Sequence, residues 1–114
     1  MSKFLSEVQG QIVDSLQAKG ALVSFFLGVQ DVFTMPDKGT VMTGYIGSGF
    51  VKVGDTVEVI SRDGSRFKVR VTGLEKDHKL IEVATKGDAI GILVPLRREG
   101  IVCSGDLLIK IDNM

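Results

Sequence analysis

Apolar positions keep one period over the first twenty residues of this chain and another over the rest. From about Ser2 to Lys19, the residues Phe4, Leu5, Val8, Ile12 and Leu16 recur at helical spacing, while Lys3, Glu7, Gln11, Asp14 and Ser15 occupy the rest of the wheel. The pattern predicts an amphipathic helix within residues 1–20, stopped by Gly20 after Lys19. Gly10 inside it costs about 1 kcal/mol against alanine, so the helix needs a surface to pack on. Two surfaces suit it: the domain's own core, which it would cap or plug at a barrel end, or another chain, which it would meet as a dimerisation or docking helix.

Over residues 21–114 the period is that of strands. Strands are predicted at about 21–35, 40–47, 55–61, 66–75, 80–84, 88–94 and 106–111, with glycine-containing turns between them. Asp55 to Thr72 is the clearest unit, because Val57 and Val59 alternate with Glu58 while Phe67, Val69 and Val71 alternate with Arg66, Lys68 and Arg70. A three-residue loop Arg62-Asp63-Gly64, with Gly64 left-handed, sets Val59 opposite Phe67, Val57 opposite Val69 and Glu58 opposite Lys68. Apolar side chains then share one face and charges the other. Many short strands without βαβ alternation predict an all-β domain, a closed antiparallel β-barrel with one N-terminal α-helix, which also disposes of exposed sheet edges.

Composition narrows the class. The chain has 114 residues, 44% hydrophobic and 25% charged, which fits one folded domain with a modest core rather than a disordered chain. Lys plus Arg equal Asp plus Glu at 14 each, so any nucleic-acid contact has to be local. Cys103 is the single cysteine, which excludes an intrachain disulfide and a cysteine-based zinc site and fits a reducing compartment. The apolar run Ala21 to Leu27 is broken by Ser24 and far below the ~20 residues of a membrane span, and the N-terminus lacks the apolar region of a signal peptide. A cytoplasmic location is expected.

Candidate chemistry is sparse. No Gly-x-x-x-x-Gly-Lys-Ser/Thr loop is present, so GTP binding by this sequence is not expected, and no metal or other cofactor is implied. The cluster Gly44-Tyr45-Ile46-Gly47-Ser48-Gly49 lies between predicted strands and reads as a turn or bulge. His78, flanked by Lys76, Asp77 and Lys79, is a solvated loop histidine unless the fold brings it to Cys103 or Ser104, the one route to catalysis. Arg66, Lys68 and Arg70 project from one strand face about 7 Å apart. They form either an ordinary solvated face or a stripe that tracks neighbouring phosphates. Arg97-Arg98 after Pro95 is a second basic patch of the same kind.

Six short motifs then occur in a telling order. They are Val29-Gln30-Asp31-Val32-Phe33; Lys38-Gly39-Thr40-Val41 with Thr43-Gly44; Val51-Lys52-Val53-Gly54-Asp55; Val71-Thr72-Gly73-Leu74-Glu75; Lys86-Gly87-Asp88-Ala89-Ile90-Gly91-Ile92; and Val102-x-x-Gly105-Asp106-Leu107-Leu108. Together they cover about Val29 to Lys110, and they resemble domain 2, the β-barrel, of translational GTPases such as elongation factor Tu. Physically, each Gly-Asp gives a tight turn before a strand, with glycine supplying backbone freedom and the carboxylate able to bond its own turn amides.

The resemblance implies a non-catalytic binding module rather than an enzyme, since GTP hydrolysis in the intact factors belongs to a separate domain. In elongation factor Tu the barrel holds the 3′ end of aminoacyl-tRNA, and in the wider family it touches ribosomal RNA. By position this implies a binding set of Gln30, Asp31, Phe33, Thr43, Glu75 and His78, to which the stripe Arg66, Lys68 and Arg70 is added. The sequence differs from the family pattern at Gln30, Tyr45, His78 and Ala89. Expected partners are a tRNA end or ribosomal RNA, or a GTPase acting in trans. The alternative is a protein-interaction module working through the helix and the barrel rim, including a homodimer through the helix.

Overall fold

The computed structural model describes residues 5–112. Its helix, α1, runs Glu7–Ala18, shorter than the apolar spacing predicts; Ser2, Lys3 and Phe4 lie outside the described residues. The start is set by a capping box: Ser6 Oγ accepts from Gln9 N–H, and Gln9 Oε1 accepts from Ser6 N–H. At the other end Gly20 is left-handed (φ 88), Gly20 N–H donates to Gln17 O and Ala21 N–H to Leu16 O, which is the expected glycine stop.

Ten strands follow: β1 Leu22–Gly28, β2 Asp31–Met35, β3 Gly39–Lys52, β4 Thr56–Ile60, β5 Arg66–Arg70, β6 Gly73–Lys76, β7 Lys79–Ile81, β8 Val83–Thr85, β9 Ala89–Val94 and β10 Leu107–Asp112. All pairings are antiparallel, and their order is β5-β4-β10-β1-β3-β9-β6-β7, with β2 and β8 also on β3. The fold is the expected all-β barrel with one helix. Backbone pairing alone does not close the ring; the chain does. Val71 N–H still bonds Asp55 O on the β4 side, while Thr72 N–H bonds Leu93 O on the β9 side, so β5 and β6 are one path that changes neighbour between those residues.

Several predicted strands are divided or extended for identifiable reasons. The run 21–35 is cut at Val29 and Gln30, where Val29 exchanges backbone bonds with Asp106 and Gly105, and Gln30 N–H turns to Thr43 O. The glycine cluster does not separate strands: β3 passes straight through it, with a register shift between Phe26 and Leu27 that leaves Gly47 as a bulge. The β4–β5 hairpin has the predicted register, with Val59 opposite Phe67, Glu58 opposite Lys68 and Val57 opposite Val69, and Gly64 at φ 90.

Inside the barrel, Phe25, Leu27, Met42, Ile46, Val51, Val57, Val59, Leu74, Ile92 and Leu108 form one buried cluster. A second cluster lies outside the wall. Leu107 and Ile109 of β10 and Ile60 of β4 point outward yet are buried, because Leu5 and Val13, with Ile12 and Leu16, cover them. Gln9 fixes this contact: only 4% exposed, it donates from Nε2 to Gly105 O (3.0 Å) and Asp106 O (2.9 Å). The helix therefore packs on the barrel's side rather than plugging an end.

The three Gly-Asp turns share one construction. Asp55, Asp88 and Asp106 each accept, through a carboxylate oxygen, the backbone N–H three residues upstream, from Lys52, Thr85 and Cys103. Two of them also hold a lysine: Asp55 pairs with Lys110 at 2.9 Å, and Asp88 with Lys76 at 2.8 Å. Lys110 Nζ sits 4.7 Å from the centre of the Phe50 ring. Burial pushes the Asp55 carboxyl up, but the Lys110 hydrogen bond, the Lys52 amide and both lysine charges outweigh it, leaving it below its ordinary 3.8. The Lys76 hydrogen bond, then the Thr85 amide, lower Asp88 in the same sense.

A carboxylate depressed in the folded state stabilises the fold above its unfolded value, and that contribution is lost as pH falls through the folded value. The urea midpoint is therefore expected to hold from neutral pH until the region of the ordinary value, 3.8, and to fall below it. Asp55→Asn should be less stable at neutral pH and show a shallower acid loss. A parallel pH curve for that variant would count against the turn carboxylate's role.

Candidate functional site

Cross-strand register assembles one surface from residues far apart in sequence. Asp31 pairs with Thr43, Thr43 with Gly91, Gly91 with Glu75 and Glu75 with Leu80, which makes one row on the outer face. The row beside it is Phe33, Val41, Leu93 and Gly73. The intervening Met42, Ile92 and Leu74 point into the core.

A groove of about 500 Å³ lies across these rows. Its floor is made by small residues, Gly44, Ala89 and Gly91, and its rim by Phe33 (57% exposed), Tyr45 (41%), Glu75, Asp77 and His78. A depression flanked by aromatic and hydrogen-bonding side chains suits a ligand with a flat apolar part and polar edges. The β6–β7 hairpin sets the lip. Lys76 pairs with Lys79, which leaves Asp77 and His78 as its two central residues, and the Lys76–Asp88 ion pair ties it to the turn before β9.

Of the residues expected to bind, Gln30, Phe33, Thr43, Glu75 and His78 line this one groove. Asp31 shares Thr43's row but does not line the groove. Arg66, Lys68 and Arg70 lie outside it, on β5. Arg66 is engaged: its Nε and Nη2 donate to Glu58 at 2.7 and 2.9 Å. That bond outweighs burial and, with the charges of Arg66 and Lys68, lowers the Glu58 carboxyl, and it raises Arg66. Among the described residues the side chains of Lys68 and Arg70 make no hydrogen bond or ion pair.

Stripe and groove share one stretch of chain. Along β5, Arg66, Lys68, Arg70 and Thr72 are exposed while Val69 and Val71 are buried; past Thr72 and Gly73 the alternation resumes with Leu74 buried and Glu75 exposed. At ordinary strand rise Arg70 and Glu75 are about 16 Å apart along the chain, while Arg66 and Lys68 line a separate depression with Thr56, Glu58 and Lys110.

Catalytic pairings of His78 do not form. Ser104 Oγ donates to Gln30 O at 2.6 Å and Cys103 Sγ to Gly100 O at 3.7 Å, and neither is bonded to His78. Among the described residues no group of three or more His, Cys, Asp or Glu is placed to hold a metal ion, and no helix is long and apolar enough to cross a membrane.

Sequence reasoning missed the floor. Gly91 was visible only as part of the motif Gly87-Asp88-Ala89-Ile90-Gly91, and Ala89 only as a departure from the family pattern; small alternate residues there leave a gap on one strand face. Asp77 carried a clearer signal, lying beside His78 between two short apolar segments.

Fold and groove together define a β-barrel module with an open surface groove across β2, β3, β6 and β9. The family model for elongation factor Tu domain 2 matches residues 39–108, more than half of the chain, and the chain belongs to that family. The match takes in β3 to the start of β10 and starts after α1, β1 and β2, so it does not include Val29 to Phe33.

Proposed function

We propose that this chain is a non-catalytic RNA-binding module of the translation apparatus, working in the cytoplasm. Its groove takes an unpaired strand end, a tRNA end or an exposed ribosomal RNA nucleotide, and β5 takes the neighbouring phosphates. The observation that supports this reading most is the convergence of Phe33, Thr43, Glu75 and His78 on one groove, with Lys68 and Arg70 exposed a few residues upstream of Glu75 on the same stretch of chain. A base lies against Phe33 or Tyr45, and Glu75 and Thr43 bond sugar hydroxyls.

The test is fluorescence anisotropy with a 5′-labelled single-stranded RNA bearing a free 3′ hydroxyl, titrated at several salt concentrations. Each phosphate neutralised contributes about 0.7 to the slope of log K against log salt for a single strand. Lys68→Ala with Arg70→Ala should therefore flatten the slope by about 1.4. Phe33→Ala should weaken binding by about ten-fold or more with its slope unchanged. A flat salt response in the wild type would sink the proposal.

A second reading, a protein-docking barrel, draws support from Phe50 and Val83, exposed on adjoining ends of β3 and β8. Partner retention that survives nuclease, together with the flat salt response, would select it. A homodimer through α1 belongs to this second reading: α1 spends Leu5 and Val13 on the barrel wall but leaves Val8 47% exposed.

A further inference from the structure

A second depression lies away from the RNA groove, on the arc of the wall that α1 covers. It runs between α1 and the β4–β5 hairpin, measures about 340 Å³, and is lined by Val8, Ile12 and Leu16 of the helix and by Ile60, Ser61 and Arg62 of the hairpin. The family match begins at residue 39, so the helical side of this slot lies outside it.

Helical spacing explains why the slot stays open. Leu5, Gln9 and Val13 face the wall and are buried, while Val8, on the edge of the helix nearest the hairpin, is 47% exposed. Ser15, two turns on, shares that edge, and its short side chain leaves room for a second helix. Glu7, Gln11 and Asp14 follow around the exposed face.

The two sides of the slot carry opposite charges. Among the described residues Glu7, Asp14 and Arg62 make no ion pair and no side-chain hydrogen bond. Arg62 lies across the turn before β10: its Nε is 3.2 Å from where a Cβ would stand on Gly105, whose carbonyl Gln9 holds. The guanidinium is therefore level with the first turns of α1, where Glu7 sits, yet within one chain the two are not paired.

We propose that this slot seats α1 of a second copy of the chain, in a two-fold pair. One surface supplies the ridge, Val8, and the slot that receives it, with an unpaired acid and an unpaired base at the same level; an isologous contact requires such self-complementarity. A partner helix laid parallel in the slot sets Val8 against Val8 and Ile12 and brings each Glu7 to the other copy's Arg62. The inference rests on the homodimer of the second reading, to which it gives a contact, and is independent of RNA binding, since the RNA groove belongs to other strands.

The test is sedimentation velocity over about 5 to 500 μM. A twelve-residue helix and one hairpin tip cover less than the roughly 800 Å² per partner of a standard interface, so the wild type should pass from monomer to dimer at about 100 μM. Val8→Asp, at an exposed position, should keep the urea midpoint close to the wild type's and raise the dimerisation midpoint about ten-fold or more. Arg62→Glu and Glu7→Arg should each raise it about ten-fold, because the two-fold axis repeats every change, and the variant carrying both should return to within about three-fold of the wild type. That recovery would exclude misfolding as the cause of the single losses, since the double variant contains both changes. A double variant no better than the singles would overturn the pairing, and the proposal with it. A dimer untouched by Val8→Asp would overturn this contact and leave the homodimer standing. A wild type that stays monomeric at every concentration would overturn both.

Discussion

Alanine at Gly49 is expected to destabilise the barrel by about 4 kcal/mol or more, enough to threaten folding in a domain of this size. Gly49 sits where β3 turns from one set of neighbours to the next: β3 pairs with β2 and β9 through its first half, with β1 through Ile46 to Gly49, and with β8 through Phe50 to Lys52. Its φ is 75, a region L side chains rarely adopt, and a Cβ there would stand 1.7 Å from Ser24 O and 2.8 Å from its carbonyl carbon. The obstacle is backbone, the bulged Ser24 of β1 between Val23 and Phe25, which both pair with β10, so no rotamer change relieves it. Gly49 O also accepts from Lys86 N–H, so moving β3 away would disturb the turn before β9 as well.

Gly64→Ala separates the two sources of cost. Gly64 is equally left-handed, at φ 90, but an added Cβ would meet nothing within 4 Å. Backbone strain alone costs about 1 kcal/mol there. Urea denaturation followed by circular dichroism should place the Gly64 variant near the wild type and the Gly49 variant far below it. Equal losses would mean that the close approach of β3 to β1 contributes nothing.

The β4–β5 hairpin could be read from sequence because three independent signals agreed: alternation in Val57 and Val59, alternation in Phe67 and Val69, and a glycine at the turn. The path of β3 could not, because Gly44 to Gly49 resembles a chain break until the neighbouring strand is known. What the glycines accommodate is the Ser24 carbonyl and the Phe26 ring, which lie about twenty residues away in sequence. Similarly, Leu107-Leu108-Ile109 signals a strand, but three successive buried apolar residues mean burial on both faces, and only the placement of α1 explains the outer one. The helix start was in plain view as Ser6-x-x-Gln9, and the apolar spacing upstream of it obscured the cap. Groove candidates such as Thr43 and Glu75 were reached through family likeness, since neither has distinctive chemistry alone. Of the floor only Ala89 stood out, as a departure from the family pattern, because a groove made by missing side chains leaves its trace in the register, not in residue type.

Removing residues 1–19 should cost about 3–5 kcal/mol and leave a species prone to self-association. Full burial of a side chain the size of leucine or valine stabilises by roughly 1.5–3 kcal/mol, and Leu5 and Val13 are both buried against the wall, with Ile12 and Leu16 adding part of theirs. Loss of Gln9 also leaves Gly105 O without its donor, while ordering a twelve-residue helix offsets part of the gain. The truncated barrel would present Ile60, Leu107 and Ile109, with Val23 and Phe26, as one apolar patch, which sedimentation should register as added mass at raised concentration. Groove residues belong to β2, β3, β6 and β9 and their connecting turns, whereas α1 covers β1, β4 and β10, a different arc of the ring. RNA affinity of the truncated protein, measured cold and dilute enough to keep it folded and monomeric, should therefore match the full chain. Val13→Asp in the full chain should reproduce the instability by burying an unpaired charge in the same contact. If both changes left the urea midpoint where it was, α1 would not be holding the wall, and the outward-facing leucine and isoleucines of β4 and β10 would need another cover.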